Sequence, residues 1–209
     1  MLFTNRQAAG TQLAAKLRQY YRGPNTLVIG LPRGGVVVAA AVAQALDLPL
    51  DIIVTRKIGA PDNKEFAIGA ITEDGSQMLN RPLIDAYGIS ERYIHEQILE
   101  QQTEAQRRLN RYRAKLPPLD LHHKTVLLID DGLATGYTMQ AAIVSAQKKG
   151  AKKIIVAVPV APPDTVKDIT QQVADVVTVA TPDWFGAIGR FYEQFEQVSD
   201  EQVAEILTN

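Results

Sequence analysis

The chain has 209 residues, of which 46% are hydrophobic and 22% charged, with a formal net charge of −1. That is the balance of an ordinary globular protein with one sizeable core, and without a basic excess it argues against a general nucleic-acid or membrane-surface binder. With no cysteine, disulfides, thiolate catalysis and cysteine zinc sites are excluded.

The N-terminal MLFTNRQAAG carries arginine and polar residues where a signal peptide needs an apolar core. No apolar run reaches the roughly 18 residues of a spanning helix, so a cytoplasmic protein is expected. Asn5 can cap a helix over 5–22 that keeps Ala9, Leu13, Leu17 and Tyr20 on one face and stops at Gly23-Pro24. TLVIG then reads as a buried strand and GVVVAAAVAQAL as a helix ending near Asp47 and Pro49. DIIVTRKIG is expected to be a single second strand. AIGAI and QMLN, joined by TEDGS, suggest a hairpin.

Ser90 caps a long helix with apolar residues at Ile94, Ile98, Ala105, Leu109, Tyr112 and Leu116. Arginines crowd its last turns, as suits a helix C-terminus, and Pro117-Pro118 end it. TVLLID and KIIVAVPV are two more buried strands flanking a helix that begins near Thr138, and ADVVTVAT is the last strand. Continuous apolar strands alternating with helices imply an α/β fold, with a mostly parallel sheet covered on both faces. No repeat, low-complexity tract or linker is evident, so residues 1–209 are expected to form a single domain.

The chemistry concentrates in VLLIDDGLATGYT. In an open parallel sheet, ligands bind outside the carboxyl ends of the strands, and Asp130 and Asp131 stand at such an end. Two carboxylates there need a cation or hydroxyl donors. The loop that follows (Ala134, Thr135, Gly136, Tyr137, Thr138) opens a helix whose free amides and dipole suit a phosphate. Acceptors for hydroxyls beside donors for a phosphate match a ribose 5-phosphate. The bland alternative is a turn-capping Asp131 with Asp130 paired to a nearby Lys or Arg.

The whole string resembles the signature of the type I phosphoribosyltransferases. Two further stretches match that family in its order: VIGLPRGGVVVA, with Pro32, Arg33, Gly34 and Gly35, and VTRKIGAP, with Arg56 and Lys57. The resemblance covers roughly residues 24–160. With VPVAPPD and DWFGAIGRFYEQF, the entire chain resembles a bacterial group described only as predicted phosphoribosyltransferases. The resemblance implies a twisted, mostly parallel sheet with helices on both faces. A hairpin and long-helix elaboration and a small hood, drawn from the N-terminal helix and residues 161–209, would complete it.

It also implies transfer of ribose 5-phosphate from phosphoribosyl pyrophosphate to a nitrogen base, with Mg2+ as cofactor. Asp130 and Asp131 would hold the ribose hydroxyls and the metal, directly or through its waters, and residues 134–138 the 5-phosphate. Arg33, Gly34, Gly35 and Lys57 would meet the pyrophosphate, with Arg56 and Lys57 joining the Asp pair in catalysis. Trp184 or Phe185 would stack on the base. Ala134 stands where the hypoxanthine-guanine enzymes carry an aspartate, which counts against a 6-oxopurine acceptor. The expected partners are phosphoribosyl pyrophosphate and a small base, in a nucleobase-salvage role, with a homodimer as the candidate assembly and no nucleic acid or membrane. The competing expectation is a non-catalytic regulator that binds phosphoribosyl pyrophosphate or a nucleotide.

Overall fold

The computed structural model describes residues 2–18 and 25–208. Strand Thr26–Gly30 (β1) is buried at every position because it lies inside a five-stranded sheet. Leu50–Ile52 (β2) pairs with one edge of β1 and Thr125–Ile129 (β6) with the other; Lys153–Val160 (β7) and Asp175–Ala180 (β8) continue outward. All four pairings are parallel. Alternate residues of these strands feed two separate cores, one on each face, which is why the strands read as unbroken apolar runs.

On one face, Leu27, Ile29, Val126, Leu128 and Val156 pack against the helix Tyr137–Lys148 (α5) through Met139, Ala142, Ile143 and Ala146. On the other, Val28, Leu127, Ile129 and Ile155 meet Leu13, Ala14 and Leu17 of Arg6–Leu17 (α1). Val38, Ala39 and Val42 of Gly34–Leu46 (α2) join them there. Asn5 caps α1, its Oδ1 accepting from the Ala8 amide at 2.9 Å. The expected contact of Tyr20 and the stop at Gly23-Pro24 lie outside the described residues.

DIIVTRKIG is not one strand. After β2 the chain leaves the parallel sheet and starts Thr55–Gly59 (β3) in a second, antiparallel sheet with Ala67–Thr72 (β4) and Gln77–Leu79 (β5). The break falls at Val54, whose amide donates to the Glu73 carboxylate (3.0 Å) and whose carbonyl accepts from the Glu73 amide (3.2 Å). A buried acid thus takes the backbone bonds that a continued strand would have used. The hairpin of β4 and β5 is as expected.

The short helix Arg81–Ala86 (α3) precedes the long Glu91–Tyr112 (α4), whose Ser90 cap accepts from the Tyr93 amide. Leu116 was expected on α4 but lies beyond it. Arg113 ends the helix instead, its guanidinium forking onto both oxygens of Asp51 (2.7 and 2.8 Å) and reaching the Pro117 carbonyl. That fork ties the end of α4 to β2 at the sheet edge. Pro163–Thr170 (α6) and Asp200–Thr208 (α7) complete the chain. No helix among the described residues is long and apolar enough to cross a membrane.

Candidate active site

β1 and β6 are neighbours in register, Gly30 against Ile129, so the loops at their carboxyl ends must share one space. Only glycine fits where they meet. A Cβ on Gly34 would come within 2.0 Å of Asp131 Oδ2, and one on Gly35 within 2.7 Å of Asp130 Oδ1. The PRGG stretch, whose Pro32–Arg33 peptide is cis, is thereby seated on the Asp130–Asp131 pair.

These two loops form the floor of a cleft of about 920 Å³, large enough for a phosphorylated sugar with a further group attached. β3 brings Arg56 and Lys57 to it from the second sheet. The face of α4 that carries Gln97, Gln101 and Arg108 forms a wall, and Ile188, Phe195 and Gln197 complete the lining, with Ile188 against Gly132 beside the Asp pair.

Asp130 and Asp131 do not share the same environment. Burial raises the Asp130 carboxyl well above the usual range, the neighbouring Asp131 adds to the rise, and Lys57 and Arg6 oppose it. Asp130 Oδ1 accepts from the Asp131 amide at 2.8 Å. Asp131 is raised too, again by burial, but Arg6 Nε lies 2.8 Å from its Oδ2 and opposes the rise. Its carbonyl accepts from the Tyr192 hydroxyl at 2.6 Å. Two carboxylates side by side and largely withdrawn from water are costly unless cations or hydroxyl donors meet them, and both line the cleft.

The loop after the pair is built as a cradle. Gly136 has φ +75° and caps α5, and its missing Cβ leaves room for Thr165, which would stand 2.9 Å from it. Thr165 Oγ1 donates to the Ala134 carbonyl at 2.7 Å, so that acceptor is already engaged. The first amides of α5 have no acceptor within the helix and are free for an anion. Thr135 and Thr138 line the cleft. Tyr137 does not, since its hydroxyl accepts from Asn80 Nδ2 at 2.5 Å on the hairpin side.

Lys57 stands exposed in the cleft, while Arg56 is half-buried with Nε on Gln101 Oε1 (3.0 Å). Burial and the nearby Arg108 lower the Arg56 guanidinium from its ordinary value. Arg33 lies 3.6 Å from Asp200 of α7. The cations therefore gather on the side of the cleft between the PRGG loop, β3 and α4.

The two aromatics expected to meet the base stand outside the cleft lining. Trp184 is 96% exposed, and Phe185 packs on Phe191 with ring centroids 5.1 Å apart; neither lines the cleft. The segment turns at Gly186 (φ +61°), and it is Ile188 and Phe195 further on that face the space. Reasoning from sequence also missed Arg6, Lys64 and the Gln97, Gln101, Arg108 stripe. The stripe's helical spacing was visible, but the face it occupied was not.

No group of three or more His, Asp or Glu side chains suited to a metal occurs among the described residues. The donor set is two adjacent carboxylates at an open cleft. This fits a hard divalent ion that brings waters and substrate oxygens with it, the way Mg2+ is usually held.

Residues 3–196 match the family model for the phosphoribosyl transferase domain. The chain belongs to that family. Two Mycobacterium tuberculosis proteins, named "Putative phosphoribosyl transferase MT0597" (strain CDC 1551 / Oshkosh) and "Putative phosphoribosyl transferase Rv0571c" (strain ATCC 25618 / H37Rv), are each 41% identical over 206 residues. The alignment covers 99% of this chain and 46% of theirs, so the chain spans about half the length of these relatives. The crystal structure of TT1426 from Thermus thermophilus superposes with a TM-score of 0.82 at 38% identity, covering 99% of this chain and 98% of that one. A purine phosphoribosyltransferase from Pyrococcus horikoshii shares the fold at a TM-score of 0.50 and 20% identity, covering 93% and 92%. The phosphoribosyl transferase domain thus carries its Asp pair and both loops on one cleft.

Proposed function

We propose that the protein transfers ribose 5-phosphate from phosphoribosyl pyrophosphate to a nitrogen base and releases pyrophosphate. The observation that carries this reading is the juxtaposition at the floor of the cleft. The buried Asp131 and the half-buried Asp130 lie beside a helix-opening cradle of free amides, with glycines of a second loop pressed against both acids.

In this reading the 5-phosphate sits on the amides of residues 135–138 with the Thr135 and Thr138 hydroxyls, which orients the sugar without chemistry of their own. Asp130 and Asp131 accept from the ribose 2- and 3-hydroxyls. Mg2+, held by the Asp pair together with the ligand's own oxygens, would supply charge neutralisation at the diphosphate. Lys57, Arg56 and Arg33, with the backbone of Gly34 and Gly35, face the leaving group, where negative charge grows as the anomeric bond to oxygen breaks. Fixed cations aimed at that charge act chiefly in the transition state. The nitrogen nucleophile approaches the anomeric carbon from the opposite side, where Ile188 and Phe195 offer an apolar surface and stacking is worth roughly 1–3 kcal/mol per base in single-strand binders. Ala134 accepts no proton, so the nucleophile's proton leaves by another route.

The test is to incubate the protein with Mg2+, phosphoribosyl pyrophosphate and a panel of purines, pyrimidines and other nitrogen heterocycles, following pyrophosphate. Release that depends on one or a few bases is expected. No release above the base-free rate with any of them would sink the reading.

A further inference from the structure

Arg6 lies at the start of α1, and its side chain ends against Asp131 and Phe195, both of which line the cleft. Its guanidinium makes three contacts: Nε donates to Asp131 Oδ2 (2.8 Å), Nη1 donates to the Glu196 carbonyl (2.8 Å), and the plane lies over the Phe195 ring, 3.8 Å from the centroid. The ion pair is close to dry, with the Arg6 and Asp131 side chains 11% and 12% exposed.

The strand-like contacts around it hold that guanidinium still. Phe3 donates to the Phe191 carbonyl (3.0 Å), Glu193 to the Phe3 carbonyl (2.9 Å) and Gln194 to the Thr4 carbonyl (3.0 Å). Tyr192, between these bonds, donates to the Asp131 carbonyl. Phe195 has Arg6 over its ring and Tyr192 packed on it with centroids 5.0 Å apart, and the 36% of it that stays exposed lines the cleft.

One planar cation therefore bridges a carboxylate of the cleft floor and an aromatic ring of the cleft lining. The geometry points to Arg6 as a positioning residue that couples Asp131 to the Phe195 ring, so that a base seated against Phe195 strengthens the hold of Asp131 on the ribose, and the reverse. Such coupling is reciprocal. It needs a planar fork, because lysine can neutralise Asp131 but cannot also stack on the ring and hold Glu196. The inference rests on the proposed function for its assignment of the Phe195 side to the base.

Calorimetry with ribose 5-phosphate and with the tightest of AMP, GMP, IMP and UMP tests it. In Arg6→Lys, affinity for ribose 5-phosphate should fall no more than about threefold, while the further affinity contributed by the base should fall about tenfold. Phe195→Leu should reproduce the loss for the nucleotide. The double variant should be no weaker than the weaker single one, because both changes break the same link. Melting curves show that each variant is folded. Equal loss of both ligands in Arg6→Lys, no loss for the nucleotide, or additive losses in the double variant would each overturn the coupling. Wild-type protein that binds neither ligand would overturn the proposed function itself, and the coupling with it.

Discussion

Asp131 and Lys57 illustrate two ways a charged residue can belong to the site. Asp131 is built in: buried, paired with Arg6 and pressed by Gly34. Lys57 touches little and points into open space. Replacing both acids, in Asp130→Asn with Asp131→Asn, should weaken phosphoribosyl pyrophosphate binding by about a hundredfold or more and remove its Mg2+ dependence, since each carboxylate contact is worth about 1.5–3 kcal/mol. Calorimetry with and without Mg2+ checks this, and unchanged affinity in a folded double variant would make the pair structural. Lys57→Ala should act on turnover. Loss of one contact to developing charge costs about 3 kcal/mol, or roughly a hundredfold in kcat, while stability should stay within about 0.5 kcal/mol. A destabilised variant with normal kcat would reverse that assignment. The Asp pair and its loop were legible in the sequence because a helix-start cradle is a local device, spelled by adjacent residues. Arg6 was not, because it meets Asp131 across 125 positions of chain and nothing around Asn5 marks that meeting.

At the scale of elements, strands and helices of the parallel sheet were legible because each is apolar throughout or on one stripe, and burial on both faces demands that pattern. The split of β2 from β3 was not. Ile52, Ile53 and Val54 are all fully buried, so hydrophobicity continues straight through the point where the backbone changes sheet. What marks the change is Glu73, 19 positions away. The adjoining hairpin turn is fastened to α5 by Asp74, which accepts from Thr72 Oγ1 and Ser145 Oγ (both 2.7 Å), from the Ser76 amide (3.0 Å) and from Lys149. Burial works to raise the Asp74 carboxyl, but hydrogen bonds from Lys149, Ser76, Ser145 and Thr72 outweigh it and hold it well below the usual carboxylate range. The unfolded chain takes up this proton near pH ~4, so the stability contributed is present above that value and lost as pH falls toward the depressed folded one. Glu73, raised by burial, acts in the opposite sense, its contribution fading as pH rises through its folded value. Asp74→Asn should lower stability at neutral pH by about 2 kcal/mol and flatten the fall in Tm below about pH 4. Melting curves across that range decide it, and an equally steep acid limb in the variant would place the titration elsewhere.

For the whole molecule, the cleft exists because two sheets and both ends of the described chain converge on the carboxyl edge of β1 and β6. The parallel sheet supplies the floor, the antiparallel sheet and α4 supply a wall of cations and amides, and the contacts between residues 2–6 and 191–197 supply the other side. The floor and the Arg56–Lys57 part of the wall could be read from the sequence; the rest of the walls depends on packing between distant segments, and Trp184 and Phe185 stand outside the cleft lining. The central claim is that this floor is where the phosphorylated ribose binds. Amide hydrogen exchange with and without phosphoribosyl pyrophosphate and Mg2+ tests it directly. Slowed exchange concentrated at residues 130–138 and 33–35 is predicted. Protection that leaves those segments unchanged and falls instead around Phe66 and Tyr87, which line a separate cavity of about 720 Å³, would contradict it.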